Sequence, residues 1–190
     1  MGEIILVRHG QTEWSATGRH TSVTDLPLTA EGERQARDLG RALAGRKFVA
    51  VLSSPRQRAL RTAELAGRTV TTVDEDLAEW HYGEYEGITT KEIRATRPDW
   101  DLWRDGCPGG EIPERVGARI DRFLARIREL LPQGDVAVVG HGHALRVAGA
   151  RWAGLPVAAG GRLALDTATL STLGYEHERP GIRRWNVQVT

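Results

Sequence analysis

Among 190 residues there is one cysteine, Cys107, so no disulfide can close within the chain and a cross-linked secreted scaffold is excluded. No apolar run approaches the roughly 20 residues needed to span a bilayer. The opening MGEIIL has no basic n-region, no long apolar core and no Ser or Thr for myristoylation. A lone thiol with neither leader nor span leads us to expect a cytoplasmic protein without a membrane partner. Charge of one sign is missing too: 26 Lys and Arg face 25 Asp and Glu, for a formal net charge of +1. That balance supplies no stripe for nucleic acid, so any anion site must be local. There are no internal repeats or low-complexity linkers. What remains, 40% hydrophobic and 27% charged, suits a single domain over 1–190 with its own core.

The apolar residues fall into two periods. Residues 3–7 (EIILV), 48–52 (FVAVL), 69–73 and 135–139 (DVAVV) are short, β-branched or fully apolar runs that read as buried strands. Between them the spacing turns helical. Thr29 suits an N-cap before Ala36, Leu39 and Leu43 on one face, and Pro55 suits the first turn of a helix carrying Arg56, Arg58, Arg61 and Thr62. TTKEIRATRPDW reads as a short helix stopped before Pro98. Val116, Ile120, Phe123, Ile127, Leu130 and Leu131 mark the strongest amphipathic helix, and a last one follows GHGHALR through Trp152. ATLSTLGYE and IRRWNVQV, separated by ERPG, read as an antiparallel hairpin at the edge. Strands alternating with helices predict an α/β protein, a three-layer α/β/α sandwich whose central sheet is mostly parallel with an antiparallel edge.

In such sheets ligands bind beyond the carboxyl ends of the strands. The first strand ends in Arg8-His9-Gly10, the second leads into Arg58, and the DVAVV strand delivers His141 between two glycines. Two imidazoles and two guanidiniums meeting there would make a phosphate site, because arginine forks match phosphate oxygens. Glu79, in the irregular LAEWHYGEYEG stretch, would add the acid. Taken singly, His9 is an ordinary hydrogen-bonded histidine, Arg58 a solvated helix face and Glu79 a loop carboxylate; convergence after strands is what favours a site. A metal centre lacks the ligand spacing of HExxH or CxxC. Ser15, Thr21, Ser22, Tyr82, Gly142 and His143 are candidate substrate contacts, set against plain solvation of loop side chains, with His20 and His81 nearby. Cys107, in a Gly-Pro turn, reads as turn support. Of six tryptophans, Trp80, Trp100 and Trp103 are candidates for either pocket walls or packing.

LVRHGQTEW, SSPRQRALRT, LAEWHYGEYEG and VVGHGHALR, in that order, resemble the motifs of the histidine phosphatase superfamily, which includes phosphoglycerate mutase and fructose-2,6-bisphosphatase. The resemblance runs over nearly the whole chain. The GRHTSVTDLPLT loop, EWHYGEYEG, WRDGCPGGE and GHGHALR are most similar to bacterial acid phosphatases and sedoheptulose-1,7-bisphosphatase. It implies a phosphoglycerate mutase-like fold, with His9 as the nucleophile that becomes phosphohistidine, Arg8, Arg58 and His141 gripping the phosphoryl group, and Glu79 as proton donor. It implies neither metal nor cofactor, allows a homodimer, and suggests an acidic or near-neutral optimum, since a carboxylate beside a phosphate dianion favours its protonated form.

Ser15 stands where mutases carry Asn. Thr90 beside Lys91, and a quick passage through WRDGCPGGE, replace the mutase lysine, paired arginines and long insertion. The expected activity is therefore hydrolysis of small phosphomonoesters, sugar phosphates or bisphosphates. A 2,3-bisphosphoglycerate-dependent phosphoglycerate mutase is the alternative. A non-catalytic phosphate-binding scaffold ranks below both, because His9 and Glu79 are present.

Overall fold

A computed structural model describes residues 1–189. Six strands form one sheet: β1 (Ile4–Arg8), β2 (Ala50–Ser53), β3 (Thr72–Val73), β4 (Val136–Gly140), β5 (Thr169–Glu176) and β6 (Arg179–Gln188), in the spatial order β3-β2-β4-β1-β5-β6. β1, β2, β3 and β4 run parallel to one another, and β5 is antiparallel to both β1 and β6. The helices are α1 (Glu13–Thr17), α2 (Ala30–Ala42), α3 (Gln57–Leu65), α4 (Thr90–Thr96), α5 (Leu102–Asp105), α6 (Pro113–Leu130) and α7 (Gly142–Trp152). The expected three layers, with a mostly parallel sheet and an antiparallel edge, are what is found.

Strand alternation divides the core. Ile5, Val7 and Val139 pack with Leu39 and Leu43 from the α2 region and Ala59 and Ala63 of α3. Ile4, Leu6, Val136 and Val138 face the other way, onto Ile120, Phe123 and Ile127 of α6 and Leu145 and Ala148 of α7. Each central strand is therefore buried on both faces, which is why residues 136–139 are apolar throughout. Parallel register then sets the ends level: Arg8 pairs with Gly140, and Ser53 with Val139. The next residues along the three chains are His9, His141 and Ser54.

Several boundaries differ from expectation. The second strand starts at Ala50, not Phe48, and the third shrinks to Thr72–Val73, both exposed at the sheet edge, where less apolar burial supports pairing. Pro55 lies outside α3, whose N-cap is Arg56. The polar, Gly- and Thr-rich residues 15–28 read as loop, yet residues 13–17 form α1: Thr12 and Ser15 make a reciprocal capping box and Gly18 closes the turn at φ 71°. One such turn is too short to show helical periodicity. The terminal hairpin turns at residues 177–178, so Arg179, Pro180 and Gly181 belong to β6. Pro180 is tolerated because β6 is an outer strand, where a missing N–H need not break a ladder.

Candidate active site

His9 follows β1 directly and is 5% exposed. Its Nδ1 lies 2.7 Å from the carbonyl oxygen of Gly10, an acceptor only, so Nδ1 carries the proton and Nε2 keeps its lone pair. Burial, reinforced by the positive charges of Arg58 and Arg8, holds this imidazole well below the usual histidine range. Only glycine fits at position 10, because a Cβ there would lie 2.3 Å from the Gly32 carbonyl oxygen.

Arg8 donates through Nη1 to the Leu165 carbonyl, while its Nε is buried without a partner. Gly142 lets the N-terminus of α7 approach closely, since an added Cβ would stand 3.3 Å from Arg8 Cζ. An unsatisfied buried donor beside His9 leaves a hydrogen bond for an anion in the cleft to accept.

Arg58 and His141, both fully buried, do something different. Arg58 Nε donates to His141 Nδ1 (3.2 Å), Nη1 to Thr24 O (3.1 Å), and Nη2 to Thr21 O (3.2 Å) and Ser22 O (3.3 Å). His141 must then hold its proton on Nε2, which is 2.6 Å from Ser54 Oγ. Burial first, and Arg58 next, push His141 well below the ordinary value. In the unliganded chain Arg58 therefore anchors the 21–24 loop over the site. We expect Arg58→Ala, which orphans four acceptors and opens a void, to cost at least about 3 kcal/mol in urea unfolding. A loss below about 1 kcal/mol would mean that the loop holds itself.

Glu79, 6% exposed, reaches the N-terminus of α7. Its carboxylate accepts from His143 N (3.0 Å), Ala144 N (2.8 Å) and its own neighbour Trp80 N (2.8 Å). Helix-end amides thus position the acid, with the helix dipole behind them. Arg119 secures the stretch from beneath, donating to Asp76 O and Ala78 O (2.7 Å each) and to both oxygens of Glu111. Glu111 in turn accepts from His81 N (2.8 Å), and its carbonyl from Trp80 Nε1 (3.0 Å). Cys107 sits in this clasp; burial pushes its thiol up to about 12, in keeping with turn support and not reactivity.

A cleft of about 360 Å³ opens over these groups. Arg8, His9, Glu79 and, of the expected substrate contacts, Ser15, Thr21, Tyr82, Gly142 and His143 line it. Arg58, His141 and Ser22 do not. Ser22 is 2% exposed and tied through its amide and hydroxyl to Glu86. Ser15 lines the wall, but its hydroxyl donates to Thr12 O (3.0 Å) and accepts from Thr12 N (2.8 Å), so the capping box uses it. His20 lines the cleft; His81 does not. Arg19, Arg94 and Arg146, none singled out from sequence, also line it, with Trp100 and Trp103 as walls. Arg146 lies 4.7 Å over the Trp103 ring and donates to Gly160 O (3.0 Å). Its place three residues after His143, on the same helix face, was the available signal. Among the described residues no cluster of His, Cys, Asp or Glu could hold a metal ion, and no helix is long and apolar enough to cross a membrane.

The profile of the histidine phosphatase superfamily (branch 1) matches residues 4–188. The chain belongs to this superfamily. This histidine phosphatase homologue is similar to an acid phosphatase of Mycobacterium tuberculosis, 45% identical over 183 residues that cover 95% of this chain and 89% of that protein. It is 40% identical over 184 residues to sedoheptulose 1,7-bisphosphatase of Saccharomyces cerevisiae, covering 80% and 68% of the two chains. A solved structure of an open reading frame product from Mycobacterium tuberculosis superposes with a TM-score of 0.97 at 42% identity, over 100% of this chain and 99% of that one. Proteins named probable phosphoglycerate mutase match at 33% identity.

Proposed function

We propose that the protein is a phosphatase that hydrolyses small phosphomonoesters, sugar phosphates or bisphosphates among them, through a phosphohistidine on His9 and without a metal. The observation that carries this reading is the bare Nε2 of a neutral, buried His9 beside the unpartnered Nε of Arg8, with the Glu79 carboxyl lining the same cleft. Phosphoryl transfer asks for positioning and charge stabilisation more than for covalent ingenuity, and fixed guanidiniums supply both.

In the first half-reaction His9 Nε2 attacks phosphorus and the bond to the ester oxygen breaks. Glu79 passes a proton to the departing oxygen. The proton stays on Nδ1, hydrogen-bonded to the Gly10 carbonyl, throughout. In the second half-reaction water attacks phosphorus, the N–P bond breaks and Glu79 receives the proton from water. Atoms balance as ester plus water giving alcohol plus inorganic phosphate. Arg8 holds the phosphoryl oxygens, and the Gly142 amide, unlike those of His143 and Ala144, is not spent on Glu79. Arg58 acts from behind the cleft, as positive charge and as the anchor of its loop, and neutral His141 accepts from its Nε.

The test is phosphate release from sugar monophosphates and bisphosphates, run beside 3-phosphoglycerate with 2,3-bisphosphoglycerate, with alkaline quenching to trap the intermediate. Expected are phosphate release and an acid-labile, base-stable phosphoprotein. Accumulation of 2-phosphoglycerate without phosphate would transfer the assignment to a mutase.

A further inference from the structure

His20 and His143 face each other across the cleft wall, their rings 6.2 Å apart and nearly parallel at 19°. Both are neutral: burial lowers His20, and burial followed by Arg146 holds His143 well below its ordinary value. Their proton positions are set by different partners. His20 Nδ1 lies 2.7 Å from the Ile88 carbonyl, which can only accept, so its Nε2 bears a lone pair. His143 Nδ1 lies 2.6 Å from the Tyr82 hydroxyl. Tyr82 is 2% exposed, burial raises its phenol well above the usual value, and that O–H has no other acceptor, so it donates to His143 Nδ1. The His143 proton is thereby driven to Nε2. Neither Nε2 is hydrogen-bonded to a described residue.

The wall therefore carries one bare acceptor and one bare N–H donor, neutral and stacked side by side. A hydroxyl group is the ligand that both accepts and donates. A methyl group satisfies neither nitrogen, a carboxylate or phosphate faces the lone pair of His20 unfavourably, and an ammonium has nothing to offer the N–H of His143. We propose that His20 and His143 form a hydroxyl-reading subsite for the leaving group, which makes polyol and sugar phosphates the preferred substrates over alkyl and aryl phosphates. Tyr82 is its positioning residue, acting through the tautomer of His143. This assignment rests on the hydrolase reading above and narrows it to a substrate class.

The experiment compares kcat/KM for glycerol 1-phosphate, n-propyl phosphate and phenyl phosphate in wild type, His20→Phe, His143→Phe and Tyr82→Phe. A site that hydrogen-bonds a substrate hydroxyl rejects the analogue lacking it, and for this half-open wall the expected preference for the glycerol ester over the propyl ester is about 10- to 100-fold. The ratio should fall toward one in His20→Phe and His143→Phe, which keep a ring and lose its nitrogens. Equal wild-type rates for the two esters would overturn the subsite while leaving the hydrolase intact. Phosphate release from none of the three would overturn the hydrolase reading and the subsite with it. 15N NMR of the histidine side chains gives a second readout. His143 should show a protonated Nε2 and bare Nδ1 in wild type, and a mixture in Tyr82→Phe; a protonated Nδ1 in wild type would refute the donor role.

Discussion

His9→Ala should leave a folded protein whose phosphate release has fallen by about 10⁴-fold or more. The imidazole is the one nitrogen nucleophile in the cleft whose lone pair is fixed at Nε2 next to an arginine with donors to spare. Its removal leaves Arg8 and Glu79 to polarise an ester that nothing attacks but water. The fold should survive because the loss amounts to one hydrogen bond to Gly10 O and a small void at a strand end, about 1 to 2 kcal/mol. Circular dichroism and a urea titration establish folding, and phosphate release under saturating substrate establishes the rate. A variant retaining more than a hundredth of wild-type turnover would remove His9 from the nucleophile's role and favour direct attack by water.

Between pH 7.5 and pH 5 the protein should lose stability at up to about 5.5 kcal/mol per pH unit. His9, His141 and His143 are all held well below the ordinary histidine value of 6.5, and His20 is lowered as well, burial leading in each case. Once unfolded, these side chains take protons as the pH drops past about 6.5; in the fold they do not. Unfolding is then accompanied by proton uptake, so stability present above pH 6.5 is lost as the pH falls toward the depressed folded values. Four such groups at about 1.4 kcal/mol per unit set the upper limit on the slope. Urea midpoints at half-unit steps measure it. Inorganic phosphate should restore part of the loss, because an anion beside Arg8 and His9 offsets the positive field that keeps His9 neutral. A midpoint that does not move from pH 7.5 to pH 5 would mean that these histidines are not held neutral in the fold.

The central strands and the residues at their ends were legible because both rest on chemistry that sequence displays: EIILV and DVAVV must be buried on two faces, and whatever follows them must stand at the sheet's carboxyl edge. Arg8, His9 and His141 follow from that alone. The role of Arg58 was not visible, since nothing in SSPRQRALRT says that its donors go to the carbonyls of residues 21–24. The bonding of Ser15 was hidden for a related reason. A hydroxyl in a loop looks available, yet here Thr12 claims it in a one-turn helix. The β3 and β6 boundaries were misplaced where neighbouring strands, and not local propensity, decide where pairing stops. Arg19 and Arg146 lie inside quoted motifs and Arg94 in the TTKEIRATRPDW helix, yet only the folded arrangement around the cleft gives the three a common destination.

The level strand ends also separate what the molecule can change from what it cannot. His9, Ser54 and His141 take their positions from backbone hydrogen bonds in β1, β2 and β4, whereas Tyr82, Trp100 and Trp103 stand on the 80–111 stretch, clasped by Glu111 and Arg119. Changes at the cleft-facing positions of that stretch reshape the mouth, while its buried Trp80 and Leu102 stay packed in the core that also holds Leu6 and Val138. Descendants of this chain can thus exchange one phosphate ester for another while the reacting atoms stay where they are.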